Sequence, residues 1–493
     1  MDKKYKLIRS KFLIPLSRKI GTETRIEDGY LLTEGGLIKE VGKYSPKIGE
    51  RIIHEYGDKL QIIGAEKNDN YKEKDIICLN GVVLPGFIKA HAHDHETLIK
   101  GIAKDECLTD WLDHSANVLT RFLDNKKNEL KERLDKNPYL LVFLKARLDD
   151  IYYGITSTLN HLCNASKYNG EDVIEANTIA GTKMVLAVGS QDRNQDPYIL
   201  STPEEEVKRL NDLYNAFGNK DRIWVIPGPN EVFSNSAEML KELKQWARDH
   251  NTLFHVHSSE EPRTTAWFYE QYDMSPTQYL YNAGILDENT IIAHQVNNTP
   301  IDLALLKKTG AKVAHNPLAN TILGSGMPPI IEMLEKGIQI AIGTDGLGSS
   351  DDQNILAAAR LVSQYQKAYH KDASLLPAQQ VLEMITVIPA EMLKLNAGSL
   401  DVGKDADFIV IDITRPNLVP TRVDNVVENL IWSSNGSEVR WVVVDGKILK
   451  DDYKIITLDE DEIKDNIQYM SELLIEYKKM CPEIRASGAR QAI

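Results

Sequence analysis

A chain of 493 residues exceeds one small domain, and its 42% hydrophobic and 26% charged residues are ordinary for a soluble globular enzyme. A formal net charge of −14 disfavours a nucleic-acid backbone as partner, and no apolar run approaches the roughly 18 to 20 residues that a membrane helix needs. Cys78, Cys107, Cys163 and Cys481 include no CxxC pair, so neither a disulfide framework nor a structural zinc knuckle is indicated.

The basic N-terminus, MDKKYKLIRSKFLIPLSRK, carries an apolar run (Phe12 to Pro15) too short for a signal-peptide core, so the expected location is cytoplasmic. Residues 5–80 then read as short β segments: KFLIPLS, YLLTEGGLIKEVG, QIIGA and DIICLN, with a hairpin turn at Glu34, Gly35 and Gly36. From Val82 the texture changes. Eight apolar runs alternate with helical patterns: VVLPGFIKAHAH, GITSTLNHL, TKMVLAVG, RIWVIPGPN, TLFHVHSSE, TIIAHQV, GAKVAHNP and QIAIGTDG. This alternation predicts an α/β chain folded as a (β/α)8 TIM-type barrel. After about residue 397 the β texture returns in SLDVGKDADFIVIDI, VENLIWSSN and VRWVVVDGKILKDD, which read as strands with hairpin turns. The expected division is a small β-sandwich built from both chain ends, 1–81 and 397–458, around a barrel at 82–396, with a C-terminal helix and tail at 459–493.

In such a barrel, catalytic groups stand at the C-terminal ends of strands. Strand 1 ends at His91 and His93, strand 5 at His255, His257 and Glu260, strand 6 at His294, strand 7 at His315 and strand 8 at Asp345. Alternate residues of a strand share a face, about 6.6 Å apart, so His91 and His93 can converge on one ion. His257 and Asp345 would complete a donor set of imidazole and carboxylate, which suits one divalent metal, zinc first and iron(II) second. Such an ion acidifies water to near neutral pH. Glu260 could then protonate the substrate, and His294 could orient or deprotonate the water together with Asp345.

These blocks resemble the amidohydrolase superfamily, in the branch of methylthioadenosine/S-adenosylhomocysteine deaminases, s-triazine hydrolases and guanine-type deaminases. PGFIKAHAH is similar to the strand 1 signature, ETLIKGIAKDECLTDWL to the block after it, and HVHSSE to a metal histidine followed by a catalytic glutamate. AGILDENTIIAHQV, VAHNPLANTILGSGMPPI, IGTDGLGSSDDQNIL and GSLDVGKDADFIVID follow in the family's order. The resemblance implies one metal held by His91, His93, His257 and Asp345, with Glu260 as proton shuttle and His294 polarising the water. It also implies a homo-oligomer, dimer or tetramer, acting on a small molecule. The function expected is hydrolytic deamination of an amino-substituted N-heterocycle. The alternatives are dechlorination, alkylamine displacement or cyclic amide opening at the same site, and, remotely, a non-catalytic scaffold.

Three places depart from the family pattern. Asn230 stands where a substrate-contacting histidine is common, Asn160 and His161 replace an aspartate and its neighbour, and His95 and Glu96 make the first loop polar. Substrate contacts are therefore expected from His95, Glu96, Trp111, His161, Asn230 and His315. His255 is read as a packing histidine, and Asp351 and Asp352 as caps of the helix after strand 8. Asp94, Glu96, Glu231 and Glu261 hint at a cationic or amine-rich substrate.

Overall fold

The computed structural model describes residues 3–480 apart from 104, 219 and 221. Cys481 and the rest of the expected tail lie outside these residues. Two compact units divide the chain. One holds the segment up to Ile88, Asp150–Ser157 and Asn354–Leu458; the other holds Lys89–Asp149, Thr158–Gln353 and the segment from Asp459 onward.

The first unit is organised by a nine-stranded sheet in which the two chain ends meet. Strand Leu79–Pro85 runs parallel to Tyr5–Leu13 on one side and antiparallel to Phe408–Asp412 on the other, with Leu84 opposite Ile409. Period-two alternation sends neighbouring residues to opposite faces. Ile8, Leu31, Val83, Val410 and Trp441 form one core layer, and Leu7, Leu32, Leu60 and Ile52 another. The hairpin at Gly35 is present, with Glu34 paired to Leu37 and Gly35 at a φ of 58°. The segment VENLIWSSN, expected as a strand, instead forms helix Val426–Trp432, because Val426, Val427, Leu430 and Ile431 recur at helical spacing and bury one face. Helix Pro46–Tyr56 was not expected from the sequence. Its Ile52 and Tyr56 recur at helical spacing and bury against the sheet, and a proline opens its first turn.

Eight barrel strands form as expected, Phe87–His93, Ile155–Leu162, Lys183–Ser190, Ile223–Pro229, Phe254–Ser258, Thr290–His294, Lys312–His315, and Ile340–Ile342 continued by Asp345–Gly346, except that Val82–Pro85 of the first run belongs to the nine-stranded sheet. Strands 2 and 3 are buried along their whole length, as parallel strands covered on both faces must be. Strands 1 to 4 form one parallel run and 5 to 8 another. A parallel bridge between Glu231 and His257 joins strand 4 to strand 5. Strand 8 pairs with strand 7 at its start and with strand 1 at its end, where Asp345 faces Ala92. The barrel therefore closes on itself, and the fold is a TIM-type barrel with a β-sandwich domain.

The expected C-terminal helix spans Glu460–Met480. Its Tyr477 ring packs edge-on against Phe122 and its hydroxyl accepts a 2.7 Å bond from Asn125. No helix among the described residues is long and apolar enough to cross a membrane.

Candidate active site

Three strand ends bring His91, His93, His257 and Asp345 together, each at most 7% exposed. The Nε2 atom of His257 lies 3.1 Å from Nε2 of both His91 and His93, and Asp345 Oδ1 lies 3.4 Å from each of those two. The other ring nitrogens decide what these contacts mean. Nδ1 of His93 donates to the carbonyl of His161 at 2.9 Å, and Nδ1 of His257 donates to the carbonyl of Asn230. A carbonyl only accepts, so both Nδ1 atoms carry the proton and both Nε2 atoms present lone pairs to each other. Burial, followed by the crowding of neighbouring histidines, holds His91 and His257 well below the usual imidazole range, so the rings stay neutral. Lone pairs facing each other beside a carboxylate repel unless a cation lies among them. Donor atoms bonded to one ion at about 2.1 Å stand roughly 3.0 to 3.4 Å apart, which is the spacing here. The residues present thus fit a divalent metal.

Two groups stand beside this cluster for proton transfer. Glu260 Oε2 lies 3.4 Å from His294 Nε2, which is 3.9 Å from Asp345 Oδ2. Burial, then the charges of Asp345 and Glu261, push the Glu260 carboxyl well above its ordinary range. His294 Nδ1 meets Asn320 Oδ1 at 2.8 Å, an arrangement that leaves its Nε2 free to accept a proton. Ser259, His294 and Asp345 take left-handed backbone angles, with φ of 55°, 73° and 61°. Each such position costs about 1 to 3 kcal/mol, and their concentration at these strand ends marks a functional rim.

A cleft opens over the cluster. Of the six expected substrate contacts, Glu96, Trp111 and Asn230 line it, and His95, His161 and His315 do not. His95 lies beyond the end of strand 1, in the turn Asp94–Ile99, with Nε2 3.7 Å from the thiol of Cys163. His161 is spent on the barrel interior, where Nε2 donates to the Gly228 carbonyl at 2.7 Å. His315 is fully buried on strand 7, and burial lowers its pKa to about 3. His255 packs as expected, stacked on His91 with ring centroids 4.9 Å apart.

The helix after strand 8, Ile355–His370, is capped by Asn354, whose side chain accepts from Leu356 N, and not by Asp351 or Asp352. Asp351 instead accepts from the Gly101 amide at 2.8 Å, because it sits in a left-handed turn before the helix begins. Among the four acids of the loops, Asp94 pairs with Arg147 at 2.5 Å and Glu261 accepts from Thr109 at 2.6 Å. Glu96 and Glu231 remain on the cleft wall.

Several members of the site carry no sequence signal of their own. Cys163 stands 3.6 Å from His93 Nδ1 and lines the cleft with Asn164, Gln195 and Leu323. These residues follow different strands or lie in loops with no fixed spacing to a motif. Asn320 and Ser349 lie inside recognisable blocks, yet nothing in their own spacing singles them out.

The amidohydrolase family model matches residues 82–449. A 5'-deoxyadenosine deaminase of Methanobrevibacter smithii is 31% identical over 461 residues, covering 92% of this chain and all of that protein. A 5-methylthioadenosine/S-adenosylhomocysteine deaminase of Caldanaerobacter subterraneus is 30% identical, covering 92% of this chain and 96% of its own. Among solved structures, an adenosine deaminase from Xanthomonas campestris with bound zinc superposes with a TM-score of 0.79 at 19% identity, covering 96% of this chain and 98% of that one. The chain belongs to the amidohydrolase family and is a hydrolase of carbon–nitrogen bonds.

Proposed function

We propose that the protein is a metal-dependent hydrolytic deaminase that exchanges an amino group on a purine-, pterin-, pyrimidine- or triazine-type ring for oxygen. The observation that carries this reading is the convergence of imidazole lone pairs and the Asp345 carboxylate beside the buried acid Glu260. His91, His93, His257 and Asp345 would hold one divalent ion. Zinc is proposed because the donors are nitrogen and oxygen and because the related fold above contains it. When bound, such an ion supplies Lewis acidity and water with a pKa of about 7.

The remaining chemistry belongs to the side chains. Glu260, kept protonated by its burial, gives its proton to a ring nitrogen as water oxygen adds to the amine-bearing carbon. His294, fixed by Asn320, orients the water and takes its proton through Nε2. That proton passes to the amine, the carbon–nitrogen bond breaks, and ammonia leaves. The catalytic module is proposed to occupy 82–396, a span inside the family match of 82–449, with its first four residues paired into the nine-stranded sheet. The deaminase names of relatives at 30 and 31% identity support ammonia as the leaving group.

The test is ammonia release by the zinc-loaded protein across aminopurines, adenosine derivatives, pterins, aminopyrimidines and s-triazines. Release from one ring class supports the proposal and names its substrates. Chloride, alkylamine or ring-opened product from the same panel, without ammonia, would replace it.

A further inference from the structure

The cleft wall carries four carboxyl groups, from Glu96, Glu231, Glu260 and Asp345, and no lysine or arginine among the described residues. Three of the four already have work. Asp345 faces the histidine cluster, Glu260 faces His294, and Glu96 Oε2 accepts from both the amide and the hydroxyl of Ser349 at 3.2 and 3.1 Å. Glu231 has no such assignment. It is 9% exposed, it lines the cleft, its side chain accepts a hydrogen bond from Thr264, and no lysine or arginine among the described residues pairs with it. Its place is fixed by the backbone, since it bridges to His257 at the junction of strands 4 and 5. A neutral hydroxyl does not balance the charge of a carboxylate taken out of water, so a site built this way, with no cation beside it among the described residues, expects a cationic partner from the ligand.

A second feature points the same way. The Trp111 ring lines the same cleft, held by its indole N–H to the Gly348 carbonyl at 3.1 Å. A tryptophan face attracts cations through its π electrons. Among the other polar groups on the wall, the amides of Asn164, Gln195 and Asn230 and the hydroxyl of Ser349 carry no charge that would answer a carboxylate or phosphate.

We infer that the substrate carries a second basic nitrogen, a protonated amine, amidine or guanidine apart from the amine that leaves, and that Glu231 receives it. This rests on the deaminase reading for the identity of the leaving group, and on the cleft alone for the charge of the ligand. Glu231 is then a specificity-determining residue. It discriminates among amino-heterocycles by their substituents, and it disfavours those bearing an anionic arm.

The experiment uses three 2-amino-s-triazines and three 6-aminopurines whose arms are equal in length and end in ammonium, methyl or carboxylate. Dissociation constants are measured by calorimetry on the zinc-loaded protein, and ammonia release is followed in parallel. In at least one ring series the ammonium arm should bind about 10- to 100-fold tighter than the methyl arm, as for a hydrogen bond to a charged group, and the carboxylate arm weakest. Glu231→Gln should erase that preference, and Glu231→Asp should keep part of it. Equal affinity for ammonium and methyl arms in both series, or a preference that survives Glu231→Gln, would overturn the inference. The two readings fail separately. Ammonia release without a charge preference leaves the deaminase and removes the role of Glu231. A charge preference lost in Glu231→Gln, with no ammonia from any compound, keeps the role of Glu231 and removes the deaminase.

Discussion

Gly346 lies directly after Asp345, and a methyl group added there would meet Glu96. The new Cβ would stand 1.8 Å from Oε2 and 2.2 Å from Cδ of that carboxyl. The backbone of Gly346 is extended, with φ of −80° and ψ of 155°, so alanine is conformationally acceptable and the whole effect is steric. Reaching van der Waals distance requires Glu96 to retreat by more than about 1 Å. That movement takes Oε2 out of reach of the Ser349 amide and hydroxyl, now at 3.2 and 3.1 Å. Two lost bonds at roughly 1 to 1.5 kcal/mol each put the cost near 3 kcal/mol. For a unit of this size the thermal midpoint of Gly346→Ala should drop by roughly 3 to 5 °C. Glu96 is outside the proposed ligand set, so metal content should stay at the wild-type level while kcat/KM falls. The decisive comparison is a double-mutant cycle by scanning calorimetry. With Glu96→Ala already in place the obstacle is gone, and the added cost of Gly346→Ala should shrink to below about 1 kcal/mol. An equal cost in both backgrounds, or no cost in either, would refute this account of the glycine.

Three further outcomes are expected. His257→Ala removes the donor that lies 3.1 Å from both other imidazoles, so zinc bound after dialysis, measured by mass spectrometry, should fall far below one per chain; full retention would contradict the assigned site. Asn320→Ala leaves His294 Nδ1 without its partner and should lower kcat about 10- to 100-fold with metal content unchanged; an unaltered kcat would show that His294 needs no such anchor. His315 should make the fold acid-sensitive. Burial lowers its folded pKa from 6.5 to about 3, so its neutral ring is compatible with folding above pH 6.5 and increasingly costly as pH falls from 6.5 toward 3. In the metal-free protein, the stability gap between wild type and His315→Gln should therefore narrow below pH 6.5 by about 1.4 kcal/mol per unit; a constant gap would contradict the assigned burial.

What the sequence could convey about the site follows from strand periodicity. His91 and His93 are two apart, so a single regular strand suffices to aim both at one point. The same rule places His255 and His257 on one side of strand 5 and does not by itself rank them. The barrel separates them by depth: His257 stands at the mouth with Asn230 behind it, and His255 lies one layer down against His91. The rule stops at the strand end. His95 continues the alternate spacing on paper, but the chain turns after His93, and its ring goes to Cys163 rather than to the cleft. Cys163 itself could not be singled out, because its neighbours are set by strand 2 lying beside strand 1 and not by any local spacing.

The fold was legible for a similar reason. Eight apolar runs of strand length, separated by helical patterns, leave few topologies, and all eight strands appear. Helix Pro46–Tyr56 was harder to see within a run of β segments, since its apolar residues alternate with charges over only three turns. The carboxylates of the loops show the limit most clearly. Composition cannot separate Asp94, which Arg147 neutralises inside the barrel unit, from Glu231, which stands in the cleft wall.

The central claim is that Glu260 delivers a proton to a substrate nitrogen at a site organised by His91, His93, His257 and Asp345. The most direct measurement is ammonia release by wild type and Glu260→Gln, both loaded with zinc to the same content, on the best compound of the panel. The account predicts a loss of at least about 100-fold in the variant, with metal content and fold unchanged. Comparable rates in the two proteins at equal metal content would contradict it.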